Sequence, residues 1–140
     1  LFGLPLAAAV GPGGAVTAVE ADTVAADHGA RNATAYPHVR FEAGRVEQVL
    51  GSVEAADLVV LDPPRGGAGR EVMAAITRMA PRAVEYVSCD PATLARDIGY
   101  AVASGYRLAG LHAYDAFPMT HHVECIALLV PAHPDAAVRG

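Results

Sequence analysis

Positive charge is scarce in this sequence: ten arginine and lysine residues stand against fifteen aspartates and glutamates, for a formal net charge of -5. No basic face announces a nucleic-acid partner by bulk charge, and electrostatics alone argue mildly against RNA or DNA. Cysteine is scarce as well. Two cysteines in 140 residues make no disulfide framework, so a reducing, cytoplasmic setting is expected. Long apolar runs are also lacking. The opening Leu1-Phe2-Gly3-Leu4-Pro5-Leu6 has no basic segment before it, and Gly11-Pro12-Gly13-Gly14 breaks the apolar run, so it reads as neither a signal peptide nor a membrane span. The first residue is not Met, and the chain reads as a fragment entered in mid-element. What is present is material for a core: 53% hydrophobic and 18% charged residues describe one well-buried globular domain. We set it at residues 1–130, with the Pro- and Ala-rich residues 131–140 as a frayed tail.

Strand and helix signals alternate along the chain. The apolar Leu4–Val10 reads as the remains of a helix. A short strand ending at Glu20 follows, then a helix over 21–33 with Val24, Ala25 and His28 at helical spacing. Val39–Phe41 is a brief strand and Arg45–Leu50 a short helical piece. Ala56–Asp62 is the clearest strand, a continuous apolar run stopped by Asp62 and two prolines. A helix over 71–79 shows Val72, Ile76 and Met79 on one face. Val84–Val87 is a buried strand, and the helix at 91–103 carries Leu94, Ile98 and Val102 together. Gly105 closes that helix in the left-handed position. Strands at 107–114 and 123–130 finish the chain. Such alternation predicts an α/β fold with a mostly parallel, doubly wound sheet. The short connection before the last strand predicts that this strand runs antiparallel to its neighbours.

Three stretches carry chemistry. Ser88-Cys89-Asp90-Pro91 ends a strand and opens a helix, with Asp90 as cap and Pro91 in the first turn. Cys89 therefore falls at the carboxyl end of a strand, where open α/β sheets bind ligands and where a helix amino end can turn a thiol into a nucleophile. The plainer reading is a small buried hydrophobe. Asp62-Pro63-Pro64-Arg65 follows another strand end. Its two prolines remove backbone donors and leave a rigid shelf suited to a substrate amide or a cofactor ammonium group. In the third stretch, 115–124, the adjacent His121 and His122 point to opposite faces and cannot chelate one metal together. No metal is expected. Glu124 reads at first as an ordinary surface acid, and Cys125, facing away from it, as core. Glu20, ending the first strand, is an acid suited to two ribose hydroxyls or simply to a helix amino end.

Asp62-Pro63-Pro64-Arg65, Ser88-Cys89-Asp90-Pro91-Ala92-Thr93-Leu94-Ala95-Arg96-Asp97 and Phe117-Pro118-Met119-Thr120-His121-His122-Val123-Glu124, in that order, resemble the catalytic domain of the S-adenosylmethionine-dependent RNA 5-methyluridine methyltransferases. The resemblance runs from Leu1 to about Val130. It implies a Rossmann-like methyltransferase sheet lacking its first strand and glycine loop, of which Leu1-Phe2 looks like the tail. The absent strand would lie between those ending at Glu20 and Asp62, so these two should not pair directly. It implies Cys89 as nucleophile and Glu124 as base. Glu20, Asp62, Leu1 and Arg45 would lie toward S-adenosylmethionine, and Pro63, Pro64, Arg65, Phe117 and Pro118 toward the substrate. The family has Asn where Asp90 stands, and Asp or Asn near the adenine where Arg45 stands. RNA, either tRNA or ribosomal, is the implied partner of a monomeric enzyme without membrane or metal, and the chain by itself is expected to be inactive. The rivals are a non-catalytic nucleoside- or RNA-binding module and a DNA cytosine-C5 methyltransferase. The latter places its nucleophile directly after proline, whereas here Ser88 precedes Cys89.

Overall fold

Residues 2–116, 119 and 123–133 are described by a computed structural model, and they divide into two units at the Ser52–Val53 bond. The first unit runs α1 (Gly3–Val10), β1 (Val16–Glu20), α2 (Thr23–Asn32), β2 (Val39–Ala43) and α3 (Val46–Val49), with a single 3₁₀ turn at Leu50–Ser52. Its two strands pair in parallel, from Val16 opposite Val39 to Glu20 opposite Ala43. Asp22 caps α2 by accepting the Ala25 amide at 2.9 Å. The spacing of Val24, Ala25 and His28 does not mark the packed face of α2: all three are exposed, and Ala26 and Ala33 are buried instead. The reason is Phe41 of β2. Its ring lies so close to Gly29 that a Cβ there would stand 2.3 Å from it, so this helix turns its smallest residues to the sheet.

The second unit runs β3 (Leu58–Leu61), α4 (Gly69–Arg78), β4 (Ala83–Ser88), α5 (Pro91–Ala103), β5 (Tyr106–Tyr114) and β6 (Glu124–Pro131). Its four strands lie in the order β3-β4-β6-β5. β3 and β4 are parallel, while β6 runs antiparallel to both β4 and β5. The last strand is thus antiparallel as its short connection requires, but it is inserted between β4 and β5 rather than added at the edge. Among the described residues β1 and β3 fall in different sheets and share no ladder. Gly105 follows α5 with φ +90°, the left-handed turn expected of it.

Alternation along β4 and β6 puts Val84, Tyr86 and Ser88 on the same buried face as Cys125, Ala127 and Leu129. Val72, Met73 and Ile76 of α4 and Leu94 and Ala101 of α5 are buried with it. Burial of each large apolar side chain there is worth about 1.5–3 kcal/mol. Here α5 departs from the spacing of its apolar residues: Val102 is 50% exposed, and the buried stripe is Leu94, Asp97 and Ala101. A carboxylate takes the central place because it is fully paired there.

Candidate active site

The turn that carries Cys89 is closed by its own neighbours. The Ser88 hydroxyl accepts the Asp90 amide at 3.1 Å and donates to the Asp90 carbonyl at 3.0 Å. Asp90 is extended (φ -133°, ψ 105°), and its carboxylate accepts the Thr93 amide at 2.8 Å, capping α5 one residue before Pro91. That amide bond chiefly holds the Asp90 carboxyl below its usual range, against a smaller opposing effect of desolvation and with help from the nearby Arg65 charge. A negative charge therefore sits beside Cys89, itself half-buried at the end of β4.

Asp62, Pro63, Pro64 and Arg65 leave the end of β3, the parallel neighbour of β4. Asp62, Pro64 and Arg65 are exposed and Pro63 is half-buried. The Pro64 carbonyl accepts the Gly67 amide at 2.8 Å, closing a turn. Beyond that turn the loop is held by α5. Thr93 Oγ1 donates to the Arg65 carbonyl at 3.0 Å, and Arg96 Nη2 to the Gly66 carbonyl at 2.8 Å. Asp97 Oδ2 accepts the Ala68 amide at 2.7 Å, the Gly69 amide at 3.2 Å and the Tyr86 hydroxyl at 2.6 Å. Its Oδ1 takes Arg96 Nη2 at 2.8 Å. Gly67 has φ +77°, and a Cβ on it would come within 2.6 Å of Arg96 Nη2 and Asp97 Oδ2.

Desolvation works to raise the Asp97 pKa, but the Tyr86 hydroxyl, Arg96 and the two amides together outweigh it and hold the carboxyl below its usual range. Tyr86 is pushed well above its ordinary range, first by burial and then by its bond to Asp97, so it stays a neutral donor. Sequence reasoning missed this cluster. The signal was there: Asp97 continues the Leu94–Ala101 stripe at helical spacing, and a carboxylate in an apolar stripe needs partners.

Glu124 begins β6. The β4–β6 ladder ends with Ser88 opposite Cys125, so Cys89 and Glu124 each lie one residue beyond that last pair. Glu124 is half-buried and pairs on its other side with Tyr114 of β5. Cys125 is buried on the opposite face, as alternation predicts, and burial pushes its thiol up. The carboxyl ends of β3 and β4 and the start of β6 thus bring Asp62, Cys89 and Glu124 to one end of the sheet. Leu1, Phe117, Pro118, His121 and His122 lie outside the described residues. No group of three His, Cys, Asp or Glu side chains able to hold a metal occurs among the described residues.

In the first unit, Glu20 and Arg45 lie at the carboxyl end of the β1–β2 pair, two residues apart in register. Both are exposed. Glu20 Oε1 accepts the Asp22 amide at 2.9 Å, and Arg45 Nε lies 3.6 Å from Glu47. A carboxylate has about four acceptor positions, so one amide leaves Glu20 able to take further donors.

Residues 31–131 match the family model described as tRNA (Uracil-5-)-methyltransferase. The chain belongs to this family. Among curated relatives, an RNA methyltransferase of Streptomyces avermitilis is 46% identical over 134 residues, which are 94% of this chain and 31% of that protein. One of Streptomyces coelicolor is 47% identical over 134 residues, covering 94% of this chain and 29% of the relative. The chain therefore spans about a third of the length of these relatives. Among solved structures, the tRNA (uracil-54, C5)-methyltransferase of Pyrococcus abyssi in complex with S-adenosyl-L-homocysteine superposes with a TM-score of 0.72 at 34% identity. The match covers 83% of this chain and 29% of the Pyrococcus chain. The fold is that of the α/β methyltransferases.

Proposed function

We propose that this chain is catalytic sequence of an S-adenosylmethionine-dependent methyltransferase acting on C5 of a uridine in RNA, with Cys89 as nucleophile and Glu124 as base. The observation that supports the proposal is the shared end of the sheet: a half-buried thiol just past β4 and a half-buried carboxylate opening β6 both lie there, as does the start of the loop that begins with Asp62. Uracil C5 is a poor nucleophile. Addition of the Cys89 thiolate to C6 forms a C–S bond and moves an electron pair toward C5, which can then accept a methyl group. The Glu124 carboxylate takes the C5 proton, and the returning electron pair expels the thiolate, restoring the C5–C6 double bond. The uridine must leave its stack to meet the thiol.

S-adenosylmethionine would supply the methyl group from a positively charged sulfonium. Glu20 fits its ribose, being exposed at a strand end with acceptor capacity remaining. Asp62 fits a cationic or amide group over the Pro63-Pro64-Arg65 shelf. The Pyrococcus relative's bound S-adenosyl-L-homocysteine supports the same cofactor. The net charge of -5 leaves RNA recognition to local contacts and to other parts of a longer protein.

The test uses the full-length protein with uracil-containing tRNA and ribosomal RNA fragments. Cys89→Ala should abolish both methyl transfer and any covalent protein–RNA species. Glu124→Gln should permit addition and methylation but block proton removal, so an adduct stable in denaturing gels accumulates. Activity of Cys89→Ala would overturn the thiol mechanism, and normal turnover of Glu124→Gln would overturn Glu124 as base. Methylation of cytosine in DNA instead, or RNA and cofactor binding without transfer, would replace the proposed substrate or activity.

A further inference from the structure

The loop after Pro64 is attached to α5 in ascending order. The Arg65 carbonyl is bound by Thr93, the Gly66 carbonyl by Arg96, and the Ala68 and Gly69 amides by Asp97. Thr93, Arg96 and Asp97 share one face of α5, and α5 begins two residues after Cys89. One helix face thus holds both the turn carrying the thiol and the loop carrying the shelf.

The attachments differ in kind. Asp97 is wholly buried and satisfies buried groups. Thr93 and Arg96 also reach groups that are not buried: Arg96 pairs with the Asp97 carboxylate, but its side chain is 42% exposed, and the two loop carbonyls that Thr93 and Arg96 hold belong to exposed residues that water could solvate. Hydrogen bonds at such positions contribute little to stability. They do tie two exposed loop residues to α5. Resting on the proposed reading of Cys89, we infer that Thr93 and Arg96 are positioning residues, setting the Pro63-Pro64-Arg65 shelf at its working distance from the Cys89 sulfur. The reaction depends on orientation, and a misplacement of about 1 Å can cost on the order of 100-fold in rate.

The experiment compares Thr93→Val, Thr93→Ser, Arg96→Gln and the Thr93→Val/Arg96→Gln double variant of the full-length protein, with Cys89→Ala in parallel. Single-turnover methyl transfer to uracil-containing RNA and thermal unfolding are measured on each. Thr93→Val should lose about tenfold in rate and the double variant on the order of 100-fold. The KM for S-adenosylmethionine should stay within about threefold. Thr93→Ser, which restores the hydroxyl, should recover to within about twofold. The inference fails if the double variant keeps its rate, if Thr93→Ser falls as far as Thr93→Val, or if the losses track the fraction unfolded at the assay temperature. Should Cys89→Ala stay active, the reading of the site fails. An inactive Cys89→Ala beside an unimpaired double variant sinks the positioning inference alone.

Discussion

Two adjacent strand-to-helix junctions in the second unit solve one problem differently. From β4 to α5 the chain passes through only Cys89 and Asp90, and the junction is held by bonds to residues two or three positions away: Ser88 to Asp90, and Asp90 to Thr93. From β3 to α4 it passes through Asp62 to Ala68, and the second half of that junction is held from α5 and β4 by Thr93, Arg96, Asp97 and Tyr86. The first junction is built by its own sequence. The second takes shape only once α5 has docked. A single buried carboxylate, Asp97, makes two of those bonds and also takes the Tyr86 hydroxyl, so the two junctions should respond to substitution very differently.

The largest separation is expected at Asp97. Asp97→Ala leaves the Gly69 amide and the Tyr86 hydroxyl without their acceptor, reduces the Ala68 amide to its bond with Tyr86, and should cost about 3–5 kcal/mol, read as a lower urea midpoint. The effect should depend on pH. Because the folded-state pKa of Asp97 is depressed, the unfolded chain binds more protons as pH falls, so the carboxylate's contribution is full above the unfolded value of about 3.9. It is lost as pH falls through the lower folded value. Wild-type and variant midpoints should therefore converge in acid, and a gap that persists unchanged there would point to lost packing instead.

Gly67→Ala attacks the same junction from the loop side. Its positive φ and the 2.6 Å approach to Arg96 and Asp97 should make alanine cost roughly 1–3 kcal/mol, with hydrogen exchange faster at Ala68 and Gly69 but not at Asp90. Equal acceleration at both junctions would mean that they are one cooperative unit.

The smallest effects belong to the self-held junction. Asp90→Ala should lose about 1 kcal/mol for the missing cap, while Asp90→Asn should keep stability within a few tenths of a kcal/mol. The measurement is the urea midpoint of each variant, and a loss at Asp90→Ala as large as that at Asp97→Ala would break the distinction between the two junctions.

The difference between the junctions also explains what was legible beforehand. Asp90 as cap, Pro91 in the first turn and Gly105 in a left-handed turn were readable because each rests on contacts within a few residues, where little chain entropy is at stake. The packed faces of α2 and α5 were not, since apolar spacing proposed Val24 and Val102 where the fold buries Ala26 and Asp97. Which face a helix presents depends on what meets it: Phe41 in one case, and two amides, a hydroxyl and a guanidinium in the other.

By itself the sequence determined the alternation of strands and helices, the strand ends carrying Glu20, Asp62 and Cys89, and the antiparallel sense of the last strand. These follow from side-chain period, proline, caps and loop length, all properties of short stretches. Only the tertiary structure decided that β6 enters between β4 and β5, and so that Glu124, 35 residues beyond Cys89, begins at the end of the sheet where Cys89 lies. It also decided that Asp97 is buried. Neither can be read locally, because strand order and the pairing of a buried charge are chosen by the free energy of the assembled sheet and its helices, in which every backbone group and every carboxylate must find its partner at once.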